Sequence, residues 1–422
     1  MKTVVITPKK LGGTIKVPSS KSFCHRSIIC AALAEGKSEI RNICFSKDII
    51  ATIGAMKAFG TKIELNKDSA IIYGTGNLNL RQGTIFCGES GSTLRFIIPL
   101  AAAVNQKVIL TGKGKLVERP LDIYYKIFEK QNIYYQNSNG KLPLEINGRL
   151  KAGNYEIRGD ISSQFITGLL FSLPLLKEDS EINLTTRLES GPYIDMTLDV
   201  LKKFGINIGN VDYKKFVVKG NQSYKNGNYS VEGDFSQAAF LLSIGILGNG
   251  VVCEGLDAAS SQGDKVILDF LKKMGAVIEI QDGNIVSKAS ETVGITVDAS
   301  QCPDLVPSLA ALASVSCGIT RIVNAGRLRI KESDRLAAIS SQLNKIGADV
   351  EEKPEGLVIK GRQMLQGGET QSFNDHRIAM ALAQISSKCK NKLIIKGADC
   401  VSKSYPDFWR DFGILGGDIE EI

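Results

Sequence analysis

One helix-ending turn recurs six times along this chain at nearly equal spacing, and that period limits the fold more than any other feature. Met56-Lys57-Ala58-Phe59-Gly60 returns as Leu201-Lys202-Lys203-Phe204-Gly205, Leu271-Lys272-Lys273-Met274-Gly275 and Leu343-Asn344-Lys345-Ile346-Gly347. Weaker copies are Phe128-Glu129-Lys130-Gln131-Asn132 and Phe412-Gly413-Ile414-Leu415-Gly416. The closing residues Gly60, Asn132, Gly205, Gly275, Gly347 and Gly416 are 72, 73, 70, 72 and 69 residues apart. Gly or Asn just past an amphipathic helix suits a left-handed position, where a side chain with Cβ is strained. A short strand is expected after each turn, for example Thr61–Leu65 and Ala276–Ile280. One such junction is ordinary, but six at a fixed period mark a repeat architecture.

A second helix in each period starts at a polar segment. Ser19-Ser20-Lys21-Ser22 precedes Ile28–Leu33, and Glu89-Ser90-Gly91-Ser92-Thr93 precedes Phe96–Val104. Ser162-Ser163-Gln164, Asp234-Phe235-Ser236-Gln237, Pro303-Asp304 and Asn374-Asp375-His376-Arg377 are the others. Ser and Asp there are expected as N-caps, accepting from the free N–H groups of the first turn. Equivalent units put these starts on equivalent faces, and several helix N-termini at one cleft bind anions.

Strands alternating with helices predict an α/β (α+β) fold. Six units divide into two similar domains, each of three βαβαββ-type units, with helix N-termini facing an interdomain cleft. The Gly-rich stretch Asn221–Asn228 marks the middle. Pro18-Ser19-Ser20 separates a first strand, Val4–Val17, from the first helix, so the N-terminal strand is expected to complete the C-terminal domain. The expected domains are residues 19–233, and residues 1–18 with 234–422.

The 422 residues carry a formal net charge of +8, which favours anionic partners. The basic residues form no dense run with interleaved aromatics, so nucleic acid is not expected. No apolar run approaches 18 residues, and residues 1–10 lack the apolar core of a secretion signal, so a cytoplasmic chain without a membrane span is expected. Nine cysteines without a C-x-x-C pair, and only two histidines, argue against a disulfide framework and a metal centre. There is no P-loop or G-x-G-x-x-G pattern, and Gly112-Lys113-Gly114 reads as a turn. No cofactor is expected.

The motifs carry a resemblance. In order from Lys16 to Asp407 stand Lys16-Val17-Pro18-Ser19-Ser20-Lys21-Ser22 with Arg26, Gly88-Glu89-Ser90-Gly91-Ser92-Thr93-Leu94-Arg95, Glu118-Arg119-Pro120-Leu121-Asp122, Ser162-Ser163-Gln164-Phe165 and Ser190-Gly191-Pro192-Tyr193. Pro303-Asp304, Ile330-Lys331-Glu332-Ser333-Asp334-Arg335, Asn374-Asp375-His376-Arg377 and Lys403-Ser404-Tyr405-Pro406-Asp407 complete the series. Each motif is weak alone; the ordered series resembles the enolpyruvyl transferase family, in the branch that uses shikimate 3-phosphate. The sister branch acting on UDP-N-acetylglucosamine has Asn where this chain has Ser22 and a reactive Cys where it has Gly114. A non-catalytic or RNA-phosphate-cyclase-like repeat protein is a further alternative, but the nucleotide site and catalytic His that it needs are not visible.

The resemblance implies two domains closing over a cleft, with hinges near Pro18–Ser20 and Val231–Asp234. It implies that phosphoenolpyruvate gives its enolpyruvyl group to the 5-hydroxyl of shikimate 3-phosphate, releasing phosphate. Carried over residue by residue, Lys21, Gly91, Arg119, Gln164, Arg335, Arg377 and Lys403 hold phosphoenolpyruvate. Arginine forks suit its carboxylate. Lys21, Ser22, Arg26, Ser162, Ser163, Gln164, Ser190, Asp304 and Lys331 hold shikimate 3-phosphate, with Tyr193 beside it. Arg327 stands where the family pattern often has Asn, so that contact is not carried over. Asp304 is the expected base at the 5-hydroxyl. Glu332 handles the proton at the donor's methylene carbon, with Lys21 and Lys403 able to share that traffic. The enzyme is expected to be a monomer.

Overall fold

Each of the six repeats runs β-α-β-α-β-β and closes one four-stranded sheet in a computed structural model that describes residues 2–422. In the second repeat Thr84–Phe86 lies parallel to Val108–Thr111, which pairs antiparallel with Lys141–Asn147, and that strand with Tyr134–Ser138. All six sheets keep the same order: first strand, second, fourth, third. Three places are filled from far away in the chain. Asn228–Ser230 pairs with Glu35–Arg41, Gly13–Lys16 pairs with Val251–Glu254, and Thr3–Thr7 lies between Leu393–Lys396 and Asp418–Glu421.

The expected single strand Val4–Val17 is thus two strands in two sheets. Pro8 has no N–H for a ladder, Lys9 and Lys10 are exposed, and the Gly12 N–H turns to the Leu415 carbonyl at 3.0 Å. The turn residues behave as their period predicts. Gly60, Asn132, Gly205, Gly275, Gly347 and Gly416 all have φ between 55° and 96°.

The chain divides into two compact units, Ser20–Val231 and Met1–Ser19 with Glu232–Ile422. Each has its own apolar core. In the first unit the helices are α1 (Lys21–Leu33), α2 (Lys47–Ala58), α3 (Gly91–Ala103), α4 (Asp122–Gln131), α5 (Ser163–Ser172) and α6 (Gly191–Lys203). In the second they are α7 (Phe235–Leu247), α8 (Ile267–Lys273), α9 (Val306–Ala313), α10 (Arg335–Lys345), α11 (His376–Gln384) and α12 (Phe408–Ile414).

Odd and even helices differ in kind. α1 is buried continuously from Phe23 to Leu33, and every residue of α7, α9 and α11 is buried. Even-numbered helices are one-sided: α4 buries Tyr124, Tyr125, Ile127 and Phe128 and exposes Lys126, Glu129 and Lys130. A helix apolar all round belongs inside a core, so its polar start is where the core meets chemistry. α5 comes close to α3 because Gly168 has no Cβ, which would fall 2.4 Å from the Arg95 carbonyl. Tyr124 Oη donates across this junction to that carbonyl at 2.6 Å.

Five of the six polar starts are N-caps. Ser20, Ser90, Ser162, Asp234 and Asp375 each accept from a first-turn N–H. The sixth is not: Pro303–Leu305 forms a 3-10 turn before α9, and the Asp304 side chain faces arginines instead. Among the described residues no disulfide forms, and no helix is long and apolar enough to cross a membrane.

Candidate active site

In the Ser20–Val231 unit the motif residues gather at the starts of α1, α3, α5 and α6. Lys21 opens α1, and its Nζ lies 2.8 Å from Asp48 Oδ2 in the first turn of α2. Arg26, one turn on, is 3 % exposed. Its guanidinium meets only neutral acceptors: Thr197 Oγ1 at 2.8 Å, the Ser22 carbonyl at 2.8 Å and the Tyr193 carbonyl at 2.9 Å. Burial without a compensating carboxylate brings its pKa down to about 10. This tie joins α1 to the start of α6, where Ser190 stands in the left-handed region at φ 58°. That conformation costs a non-glycine residue roughly 1–2 kcal/mol.

Gly91 opens α3 against Arg119. A Cβ there would fall 2.9 Å from Arg119 Cζ, so the missing side chain is what lets the guanidinium lie on the helix start. Arg119 is 8 % exposed, makes no ion pair with a described residue, and its Nε finds no hydrogen-bond partner among them. Gln164, in the first turn of α5, is held from both sides. Its Oε1 accepts from Arg95 Nη1 at 2.8 Å, and its Nε2 donates to Ser92 Oγ at 2.9 Å. Because arginine only donates, this pairing fixes which end of the amide points where. Ser162 caps α5 and Ser163 is its first residue, so both lie at the same helix start.

In the other unit the cations are matched by carboxylates. Arg335, at the start of α10 and 1 % exposed, donates from Nε to Asp375 Oδ2 at 2.8 Å and from Nη1 to Asp304 Oδ1 at 2.9 Å. Its Nη2 donates to Glu332 Oε2 at 2.6 Å and Asp375 Oδ1 at 3.4 Å. Burial alone would lower its pKa, but Asp375, Glu332 and Asp304 outweigh it and hold the group far above the ordinary guanidinium value. Asp304 is clamped again by Arg377, whose Nη2 reaches Oδ2 at 3.1 Å and whose Nη1 reaches its carbonyl at 3.1 Å. Lys331 Nζ lies 3.6 Å from Asp304 Oδ1. Lys403 Nζ donates to the Asn374 carbonyl at 2.7 Å, which the left-handed pair Phe373 and Asn374 turns towards it. Arg327 braces a neighbouring loop through the Ser300 carbonyl at 2.6 Å.

Within each unit the structure therefore brings the motif residues together, and adds site roles that the sequence reading did not assign. Asp48 pairs with Lys21, Arg95 aims Gln164, and Asp375, fully buried, both caps α11 and anchors Arg335. A signal existed for Arg95 and Asp375: each is a charge at the mouth of an otherwise apolar helix, a place it occupies only when bonded. Among the described residues no group of His, Cys, Asp and Glu has the makings of a metal site. A cavity of about 780 Å³ lies at the other end of α3, about 20 Å from Gly91 at the helical rise. Arg149, Lys151 and Lys177 line it, and no motif residue does.

The repeat, the common sheet order and the cation-bearing helix starts agree with the resemblance to the enolpyruvyl transferases that the motifs carry. The sequence profile of EPSP synthase (3-phosphoshikimate 1-carboxyvinyltransferase) matches residues 5–412, and the chain belongs to that family. It is 56% identical over 421 residues to the 3-phosphoshikimate 1-carboxyvinyltransferase of Clostridium kluyveri, spanning 100% of this chain and 99% of the relative. It is 53% identical over 422 residues to that of Clostridium perfringens, with both chains spanned in full. Among solved structures it is similar to EPSP synthase from Acinetobacter baumannii, with a TM-score of 0.84 at 26% identity over 100% of both chains.

Proposed function

We propose that this enzyme transfers the enolpyruvyl group of phosphoenolpyruvate to the 5-hydroxyl of shikimate 3-phosphate, releasing phosphate, in the shikimate pathway to chorismate and the aromatic amino acids. The observation that carries this reading is the family match over residues 5–412. It gives a purpose to Arg119, a buried cation beside Gly91 without a carboxylate partner among the described residues. Phosphoenolpyruvate is taken by Lys21, the Gly91 N–H, Arg119, Gln164, Arg377 and Lys403. Arg335 adds the one N–H that its four bonds to carboxylates leave over. Shikimate 3-phosphate is taken by Lys21, Ser22, Arg26, Ser162, Ser163, Gln164, Ser190, Asp304 and Lys331. On this reading the enzyme is a cytoplasmic monomer.

The chemistry needs two proton movements. Asp304 accepts the proton of the 5-hydroxyl as its oxygen attacks C2 of the donor, while Glu332 relays to C3 a proton supplied by the Lys21 or Lys403 ammonium. The tetrahedral intermediate then loses a proton from C3 back to Glu332, the C2–O bond to phosphate breaks, and the enol ether remains. The proton held by Asp304 passes to the departing phosphate, which restores the base. Lys21 and Lys403 assist the proton traffic at the donor. Arg335 and Arg377 hold Asp304 at a fixed position, which lowers the cost of reorganisation during reaction. Transfer to UDP-N-acetylglucosamine and a non-catalytic repeat role are not favoured. Phosphate release from phosphoenolpyruvate is the test: it is expected with shikimate 3-phosphate and not with UDP-N-acetylglucosamine. Release with the sugar nucleotide, or with neither acceptor, overturns the proposal.

A further inference from the structure

Below the Lys21–Asp48 pair, one helical turn deeper, a second contact joins the same two helices. His25 follows Lys21 by four residues on α1, and Thr52 follows Asp48 by four on α2, so each pair shares a helix face. His25 Nδ1 lies 2.7 Å from Thr52 Oγ1, Thr52 Oγ1 lies 2.7 Å from Thr93 Oγ1, and Thr93 Oγ1 lies 2.8 Å from Ser90 Oγ. Ser90 Oγ in turn caps α3 by accepting from the Thr93 N–H at 3.1 Å. All four side chains are at most 1 % exposed. The chain ends one residue before Gly91, where Arg119 lies.

The direction of this chain follows from counting hydrogens. Each hydroxyl donates once, so if His25 Nδ1 accepts, every donor must run from Ser90 towards His25. If Nδ1 donates, Thr52 gives to Thr93, and Thr93 gives to Ser90 Oγ at 2.8 Å or, over a longer contact, to the Asp48 carbonyl at 3.4 Å. His25 Nε2 is buried without a partner among the described residues. If the chain ran towards His25, Nε2 would carry a stranded N–H; if it runs away, Nε2 carries only a lone pair, the less costly group to leave unmet. The second direction puts the proton on Nδ1. With Thr93 donating over the shorter contact to Ser90 Oγ, it also frees the Ser90 hydroxyl hydrogen to point out of the chain. A charged ring would strand an N–H at Nε2, and burial, then Lys21 and Arg26, holds His25 well below the ordinary imidazole range, so the ring is neutral.

We propose that His25, Thr52 and Thr93 are positioning residues that, through Ser90, set the start of α3 where Gly91 and Arg119 receive the phosphate of the donor. This rests on the assignment of Gly91 and Arg119 to phosphoenolpyruvate made above. Thr93→Val keeps the shape and deletes one link, so the KM for phosphoenolpyruvate is expected to rise roughly fivefold, the weight of one net hydrogen bond. The KM for shikimate 3-phosphate is expected to stay put, and Thr93→Ser to restore the parent value. A rise in both KM values, or failure of Thr93→Ser to rescue, means that the threonine only supports packing and overturns the proposal. Arg119→Met, assayed alongside, separates the two readings. If it leaves the donor KM unchanged, the site assignment fails; an unchanged KM confined to Thr93→Val overturns the positioning chain alone. Nitrogen-15 NMR on the parent enzyme needs no variant, since the sequence has only His25 and His376 to resolve. A proton on His25 Nδ1 at neutral pH is expected; one on Nε2 alone contradicts the stated direction.

Discussion

The two units treat their arginines in opposite ways. In Ser20–Val231, Arg26 is held by a hydroxyl and two carbonyls, and Arg119 makes no ion pair with a described residue. In the other unit Arg335 meets three carboxylates and Arg377 meets one of them. A buried cation with neutral neighbours keeps its positive field for a ligand, whereas one surrounded by carboxylates spends it on fixing them. On the proposed assignment, the arginines of one unit serve mainly to receive anions, and those of the other also hold the acid–base carboxylates at set positions. Both arrangements grow from the same repeat, so they are properties of side chains and not of the fold.

The largest effect that sharpens this contrast is expected at Asp304. Asp304→Ala removes the proposed base at the 5-hydroxyl, and single-turnover rates are expected to fall about 10²- to 10⁴-fold. The same variant loses a hydrogen bond to the ground state, so calorimetry is expected to show shikimate 3-phosphate bound roughly ten- to a hundredfold more weakly. Glu332→Gln slows turnover and spares that affinity, because its work is at the donor carbon. If Glu332→Gln is the weaker binder, the two carboxylates have been given each other's roles.

A smaller effect belongs to Arg119. Arg119→Met is expected to lower kcat/KM for phosphoenolpyruvate roughly ten- to a hundredfold, the range for one charge-assisted hydrogen bond. The KM for shikimate 3-phosphate is expected to hold. A loss shared equally by both substrates breaks the idea that this cation serves the donor.

The repeat was legible because its cause is local. Gly or Asn at each turn answers a backbone requirement written within five residues, and all six positions obey it. The caps at Ser20, Ser90, Ser162, Asp234 and Asp375 were legible for the same reason. Asp304 stands at a similar junction yet caps nothing, because Arg335 and Arg377, from 31 and 73 residues away, compete for its carboxylate. Asp48 carried no signal, since the Lys21 ammonium that explains it lies 27 residues earlier, on another helix. The strand break between Thr7 and Gly13 was hidden because its partners are Leu415, near the other end of the chain, and Gly250, past its middle. Local sequence thus reveals where helices start, and long-range charge decides what those starts do.

The contrast between the units is tested most directly by equilibrium denaturation of Arg119→Met and Arg335→Met without substrates. Removing Arg119 deletes a buried charge that no described carboxylate balances, so stability is expected to change by less than about 0.5 kcal/mol or to rise. Removing Arg335 takes from Asp304, Glu332 and Asp375 the buried cation they share, and a loss of about 3–5 kcal/mol is expected. Equal losses in the two variants, or a larger one for Arg119→Met, would contradict the division between cations that bind and cations that hold.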